Sequence, residues 1–180
     1  LRSALFIGRF QPLHLGHVAA IEYALKNADR LIIAVGSAEK SYEPRNPFTA
    51  GQRVDMLHAV LVSKNLASRV ITITVPDVDN HELWVPLVKS LSPDFDVVYS
   101  NDYLTIYLFR RGGYKVSEVP LYRREELMAT EVRRRMAEGK EWKKLVPPEV
   151  YKFIKSMNGD KLVKELINHQ PNNSNHPSKK

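Results

Sequence analysis

Five short apolar runs, each followed by a stretch with helical spacing, constrain this chain more than any other feature. The runs are Leu5–Ile7, Leu31–Val35, Val70–Val75, Asp96–Tyr99 and Lys115–Val119. Apolar residues recur every three or four positions over Gly16–Asn27, Gly51–Val62, Glu82–Leu91 and Tyr103–Arg110. Strand-length apolar runs alternating with helices belong to parallel sheets, because each helix carries the chain back to start the next strand in the same direction. The pattern predicts an α/β fold: a Rossmann-like, doubly wound, five-stranded parallel sheet with helices on both faces. After the fifth run only helical patterns remain, over Glu131–Glu138, Glu149–Met157 and Lys161–His169. A helical C-terminal part is therefore expected from about residue 130, with Pro147-Pro148 starting the second of these helices and Gly159 ending it. Residues 1–169 read as a single domain. The polar Asn/Ser/Pro-rich tail, 170–180, lacks the apolar residues to order itself and reads as disordered.

In an open sheet of this kind, ligands sit beyond the carboxyl ends of the strands, where the strand order reverses. With the first strand central, the segments after the first and fourth strands face one crevice. They are Gly8-Arg9-Phe10-Gln11-Pro12-Leu13-His14-Leu15-Gly16-His17 and Ser100-Asn101-Asp102. The first places two histidines, two glycines and an arginine where a strand hands over to a helix. A helix N-terminus there offers unpaired N–H groups and positive potential to an anion. Gly8 and Gly16 let the backbone approach a ligand, and the imidazoles of His14 and His17 can donate without a fixed charge. These residues suit nucleotide phosphates.

Two further segments add cations. In Ala129-Thr130-Glu131-Val132-Arg133, Thr130 is expected to cap the following helix, and Arg133, one turn in, can set a forked guanidinium on the same anion. Arg134 and Arg135 point elsewhere on that helix, to solvent or a subunit contact. In Arg45-Asn46-Pro47-Phe48-Thr49-Ala50-Gly51-Gln52-Arg53, Thr49 and Gln52 form a capping box. Arg45 is free to reach the crevice, while Arg53 reads as an ordinary helix residue.

Several classes are excluded or disfavoured. Cysteine is absent, which removes disulfides and thiolate metal sites. The two histidines have no third ligand at zinc spacing, and neither G-x-G-x-x-G nor G-x-x-x-x-G-K-[ST] occurs. The net charge of +7 is spread along the chain without a zinc-finger or aromatic RNA-binding signature, so it fits a phosphorylated small substrate better than nucleic acid. No apolar stretch approaches membrane-spanning length and no signal-like segment opens the sequence, so no membrane association and a cytosolic location are expected.

The G-x-F-x-P-x-H-x-G-H stretch, with T-x-x-R downstream, resembles the nucleotidylyltransferase superfamily, related in its site to class I aminoacyl-tRNA synthetases. More narrowly, five segments resemble the archaeal nicotinamide-nucleotide adenylyltransferases: Gly8–Pro12, Gly36–Ala38, Asn46–Gly51, Leu83–Val85 and Thr130–Met136. The resemblance runs from about Leu5 to Gly159. It implies transfer of AMP from Mg²⁺-bound ATP to nicotinamide mononucleotide, giving NAD and pyrophosphate by direct in-line attack without a covalent enzyme intermediate. His14, His17 and Arg133 would act on the ATP phosphates, with Gly8, Arg9, Gly16, Ser100, Asn101 and Thr130 also binding ATP. Arg45, Asn80, His81 and Trp84 would bind the mononucleotide, with either Asn80 or His81 at the carboxamide and Trp84 stacked on the pyridine ring. Homo-oligomers, commonly hexamers, are also implied. Within the superfamily, an FMN, phosphopantetheine or glycerol-phosphate acceptor is the alternative; outside it, a basic nucleic-acid-binding module.

Overall fold

The computed structural model describes residues 1–120 and 128–169. The tail from residue 170, expected to be disordered, lies outside them. Strands β1 (Ser3–Gly8), β2 (Arg30–Val35), β3 (Val70–Thr74), β4 (Val97–Tyr99) and β5 (Val116–Ser117) form one parallel sheet in the order β3-β2-β1-β4-β5. The central strand is β1, with Phe6 level with Ile33 of β2 and Tyr99 of β4. Strand order reverses between β1 and β4, which puts the crevice where the sequence places it.

Helices α1 (Leu15–Asn27), α2 (Ala50–Ser63), α3 (Trp84–Leu91) and α4 (Tyr103–Arg111) connect the strands. The region expected as one helix over Glu82–Leu91 begins instead as a 3₁₀ turn, His81–Leu83, before α3. Alternation along each strand divides the sheet residues between two cores. Ala4, Phe6, Leu31, Ile33, Val35, Val97 and Tyr99 pack with the apolar stripes of α1 and α2. Leu5, Ile32, Ala34 and Val98 face the other way, against Val88 of α3 and Phe109 of α4. Each face is covered, so both parities of the inner strands β1, β2 and β4 are apolar and these runs read as continuous.

The C-terminal helices α5 (Ala129–Ala137), α6 (Pro148–Ser156) and α7 (Gly159–Asn168) join the core that contains α1 and α2. Gly159 does not end α6, as expected from its composition; it opens α7. The left-handed residue between the helices is Asn158, at φ 54°. A Cβ on Gly159 would lie 3.0 Å from both Phe48 Cε1 and Ile154 Cγ2, so the glycine allows close packing rather than a turn. Among the described residues no helix is long and apolar enough to cross a membrane.

Candidate active site

At the end of β1 the chain makes a strained turn. Phe10 is buried yet has φ 52°, a left-handed conformation that costs a non-glycine residue on the order of 1–2 kcal/mol. The turn folds its ring back over Gly8, where an added Cβ would stand 3.0 Å from the ring edge. The same ring packs edge-on to Phe6 at 6.0 Å between centroids and meets His17 at 4.7 Å. Gln11, also buried, locks the loop to the segment before α2: its amide donates to Phe48 O at 2.9 Å and accepts from Phe48 N at 3.0 Å. The strain is thus held by packing and paired hydrogen bonds next to the crevice.

The two histidines cap α1. His14 is the N-cap residue and its Nδ1 accepts from His17 N at 3.3 Å; His17 Nδ1 accepts from His14 N at 3.3 Å. The rings stack, with centroids 3.7 Å apart. An Nδ1 that accepts a backbone N–H carries no proton, so each neutral ring bears its hydrogen on Nε2, the nitrogen facing away from the helix end. Burial lowers the His14 pKa from its ordinary 6.5 to about 4. It pushes His17 well below 6.5, with His14 adding to the effect. Backbone donors at Nδ1 act in the same direction, since an imidazolium cannot accept them. The site therefore presents two neutral Nε2–H donors at neutral pH.

This has a consequence for stability. The unfolded chain binds protons on these histidines more readily than the fold does, so stability is full above pH 6.5 and falls as pH drops towards 4. Glu131, which Arg134 and Arg135 hold down to about 2, contributes its loss only at lower pH. Melting temperatures across pH 7 to pH 4.5 should fall in the wild type and fall less in a His14→Asn/His17→Gln variant, in which both caps are retained. Parallel curves for the two proteins would show that the histidines ionise freely.

The cations gather on the other side of the loop. Arg133, buried on α5, donates through Nη1 to Gln11 O at 2.7 Å and through Nη2 to Thr130 Oγ1 at 3.4 Å. Burial, then the positive charges of Arg9 and Arg45, lower its pKa to about 10. Thr130 is not the cap of this helix, as its position suggested. The N-cap is Met128, whose side chain makes no capping bond, and Thr130 sits in the first turn. Arg45, Thr130, Arg133 and Arg134 line a cavity of ≈ 480 Å³ with Ile167 and Asn168 of α7. Arg45 thus lies with the proposed ATP residues rather than with Trp84. Arg134, expected to point elsewhere, borders this cavity while pairing with Glu131 and Glu138; Arg135 pairs with Glu131.

A second cavity, ≈ 440 Å³, is lined by Lys40, Asp77, Asp79, His81, Trp84, Asp102 and Leu108 among others. Trp84, half-buried, serves two roles: it packs edge-on to core Phe109 at 5.7 Å and borders the cavity. The structure also separates the two candidates beside it. Asn80 Oδ1 caps the 3₁₀ turn by accepting from Glu82 N at 3.1 Å and does not line the cavity, whereas His81 does.

Residues 5–158 match the cytidylyltransferase-like family model. A nicotinamide-nucleotide adenylyltransferase of Pyrococcus furiosus is 42% identical over 168 residues, 92% of this chain and 89% of that protein. Its Methanosarcina mazei namesake is 47% identical over 166 residues, covering 92% and 95%. The chain belongs to the nicotinamide-nucleotide adenylyltransferases of the cytidylyltransferase-like family. The fold is shared more widely. A bifunctional NMN adenylyltransferase/ADP ribose pyrophosphatase of Francisella tularensis superposes with a TM-score of 0.77 at 24% identity over 93% of this chain. The chain spans about half of that protein, 52% of its length. A nicotinate-nucleotide adenylyltransferase structure from Vibrio parahaemolyticus gives a TM-score of 0.64 at 19% identity, covering 92% of this chain and 97% of the other.

In the segment after β4, the side chains of Ser100 and Asn101 are engaged in hydrogen bonds between and within loops. Asn101 spends its side-chain amide on Val119, donating to its O at 2.9 Å and accepting from its N at 3.0 Å. The hydroxyl of Ser100 accepts from Asp102 N at 3.0 Å. The Asn101 pair ties the loop after β4 to that after β5, and Ser100 braces its own loop. Arg53, expected to be an ordinary helix residue, is fully buried and hydrogen-bonded to four backbone carbonyls. The signal was present: with Met56, Leu57, Val60 and Leu61 it occupies the apolar stripe of α2, where a guanidinium requires a buried partner.

Proposed function

We propose that this chain joins ATP and nicotinamide mononucleotide by a single in-line displacement. A 5′-phosphate oxygen of the mononucleotide forms a bond to the α-phosphorus of ATP, and the bond from that phosphorus to the bridging oxygen breaks. The products are NAD and pyrophosphate, which takes the electron pair. The second pKa of a phosphate monoester is near ~6, so the attacking oxygen is already ionised at neutral pH and needs no base. One observation carries this reading: each histidine has Nδ1 occupied by a backbone N–H, which makes it a donor to developing charge and not a proton acceptor. His14 and His17 stabilise the leaving pyrophosphate, and Arg133 with Thr130 and the first turn of α5 holds the triphosphate. Arg9 and Arg45 neutralise the two anions that must approach each other. Mg²⁺ arrives with ATP as part of the substrate. That ion takes phosphate oxygens and water as its ligands and needs few from the protein.

ATP carrying a chiral α-phosphorothioate tests the single step. Inversion at phosphorus is expected, and retention would require a covalent intermediate. A panel of nicotinamide mononucleotide, FMN, phosphopantetheine and glycerol phosphate, scored by pyrophosphate release, identifies the acceptor.

Trp84 sets the acceptor end. A cationic pyridinium against an indole gains on the order of 1–2 kcal/mol from cation–π attraction and stacking. Trp84→Ala should raise KM for the mononucleotide several-fold and leave that for ATP nearly unchanged, with Trp84→Phe recovering part of the loss. Equal weakening of both substrates would assign Trp84 to the core through its contact with Phe109.

A further inference from the structure

The four bonds of Arg53 join the head of α2 to the loops after β1 and β2, beside the backbone bond from Gly36 N to Gly8 O at 2.9 Å. Its Nε donates to Thr49 O at 3.2 Å, at the head of its own helix. Its Nη1 donates to Arg9 O at 2.9 Å and Gly36 O at 2.7 Å, and its Nη2 to Ser37 O at 3.0 Å. Arg9 belongs to the loop after β1, which carries the histidines. Gly36 and Ser37 form the loop after β2, and Ser37 holds a left-handed φ of 47°. The hydroxyl of Ser37 donates to Asp77 Oδ1 at 3.0 Å, and Lys40 pairs with Asp77 Oδ2 at 2.6 Å. Asp77 and Lys40 both border the Trp84 cavity. One guanidinium therefore spans the phosphate loop on one side and the wall of the acceptor cavity on the other.

Burial lowers the Arg53 pKa to about 10, which leaves it charged at neutral pH. Its hydrogen bonds among the described residues all go to backbone carbonyl oxygens, while Glu39 and Asp77 favour its charge from farther off. A buried cation is a costly way to tie two loops if stability were its only purpose, since an apolar residue on the α2 stripe would pack without that penalty.

Taking the nucleotidyl-transfer reading as its basis, we infer that Arg53 is a positioning residue that fixes the spacing between the ATP-phosphate half-site and the mononucleotide half-site. Each half-site retains its own contacts without it, but the two reacting groups lose alignment. The expected signature is a loss in kcat with little change in either KM, because misplacement by about 1 Å can cost on the order of 10²-fold in rate.

The test compares Arg53→Met and Arg53→Lys with Met56→Ala, a core truncation on the same stripe that matches the expected stability loss without touching either loop. Arg53→Met should lose ~10-fold to ~10²-fold in kcat with both KM values within about threefold of wild type. Arg53→Lys, which keeps the charge but cannot span both loops, should recover only part of it. Met56→Ala should retain kcat at temperatures where it is folded. Unchanged kcat in folded Arg53→Met, or an equal loss in Met56→Ala at matched melting temperature, would overturn the inference. If Arg53→Met does not fold, Arg53→Lys decides by the same split between kcat and KM. Absence of NAD formation in the wild type would instead refute the transfer reaction. In the active enzyme, calorimetric titration with inorganic pyrophosphate adds a second readout: wild-type-like affinity in Arg53→Met supports intact half-sites, and lost affinity overturns the positioning role.

Discussion

His17→Ala should lower kcat for NAD formation by ~10²–10³-fold, the usual cost of one preorganised donor at developing charge, while KM for the mononucleotide moves little. The residue sits in the first turn of α1, its ring between those of Phe10 and His14, with its only proton on the nitrogen away from the helix. Neutrality matters here. A donor already discharged by burial gains most when negative charge appears on the leaving group, so its contribution is concentrated in the transition state. Alanine also frees the backbone N–H of His14, so a second variant separates the effects. Glutamine at this position completes a capping box in the usual way and should restore thermal stability, yet leave kcat at least about tenfold down. Wild-type turnover in His17→Ala would remove the residue from the chemistry. Recovery of full turnover by glutamine would make it only a cap.

Arg133→Lys should be nearly as severe, with kcat/KM for ATP falling on the order of 10²-fold. The guanidinium commits Nη1 to Gln11 O at 2.7 Å and Nη2 to Thr130 Oγ1 at 3.4 Å, and a planar fork of five N–H groups has more donors than these two bonds use. A lysine can satisfy the carbonyl or the phosphate, but its compact ammonium does not bridge both. The shift in Arg133's pKa also matters: Arg9 and Arg45 crowd it with positive charge, a repulsion that a bound triphosphate relieves. Arg135→Lys is the matched control. Arg135 pairs with Glu131 at 2.7 Å on the outer face of α5, so it should cost little. Steady-state kinetics on both variants distinguishes a site arginine from surface charge; equal activities would place Arg133 in the second class.

Strand and helix identity, and the sheet's parallel character, were legible in the chain because they depend on local periodicity. A strand buried on both faces must be apolar at both parities, and Leu31–Val35 is. The capping box at Thr49 and Gln52 was equally local, and forms as read, at 3.2 and 2.9 Å. So was the gathering of His14 and His17 at a helix start, since four residues of one turn fix it.

Other features depended on contacts between distant segments. Arg53 looked ordinary because a backbone carbonyl leaves no mark in sequence, and its partners at Arg9, Gly36 and Ser37 come from two other loops. Thr130 and Gly159 carried residue types that suit caps and stops, but packing moved both boundaries: α5 starts at Ala129, and the close approach of Phe48 makes Gly159 the first residue of α7. The different positions of Asn80 and His81 likewise came from the tertiary structure: the 3₁₀ turn engages Asn80 Oδ1 and leaves His81 on the cavity wall. The sequence by itself determined the periodic elements, their order along the chain and the pairing of two histidines at the start of α1, because these are properties of short segments. Tertiary structure alone decided which side chains are left facing the crevice and which are consumed in holding it, because that depends on buried hydrogen bonds between residues tens of positions apart.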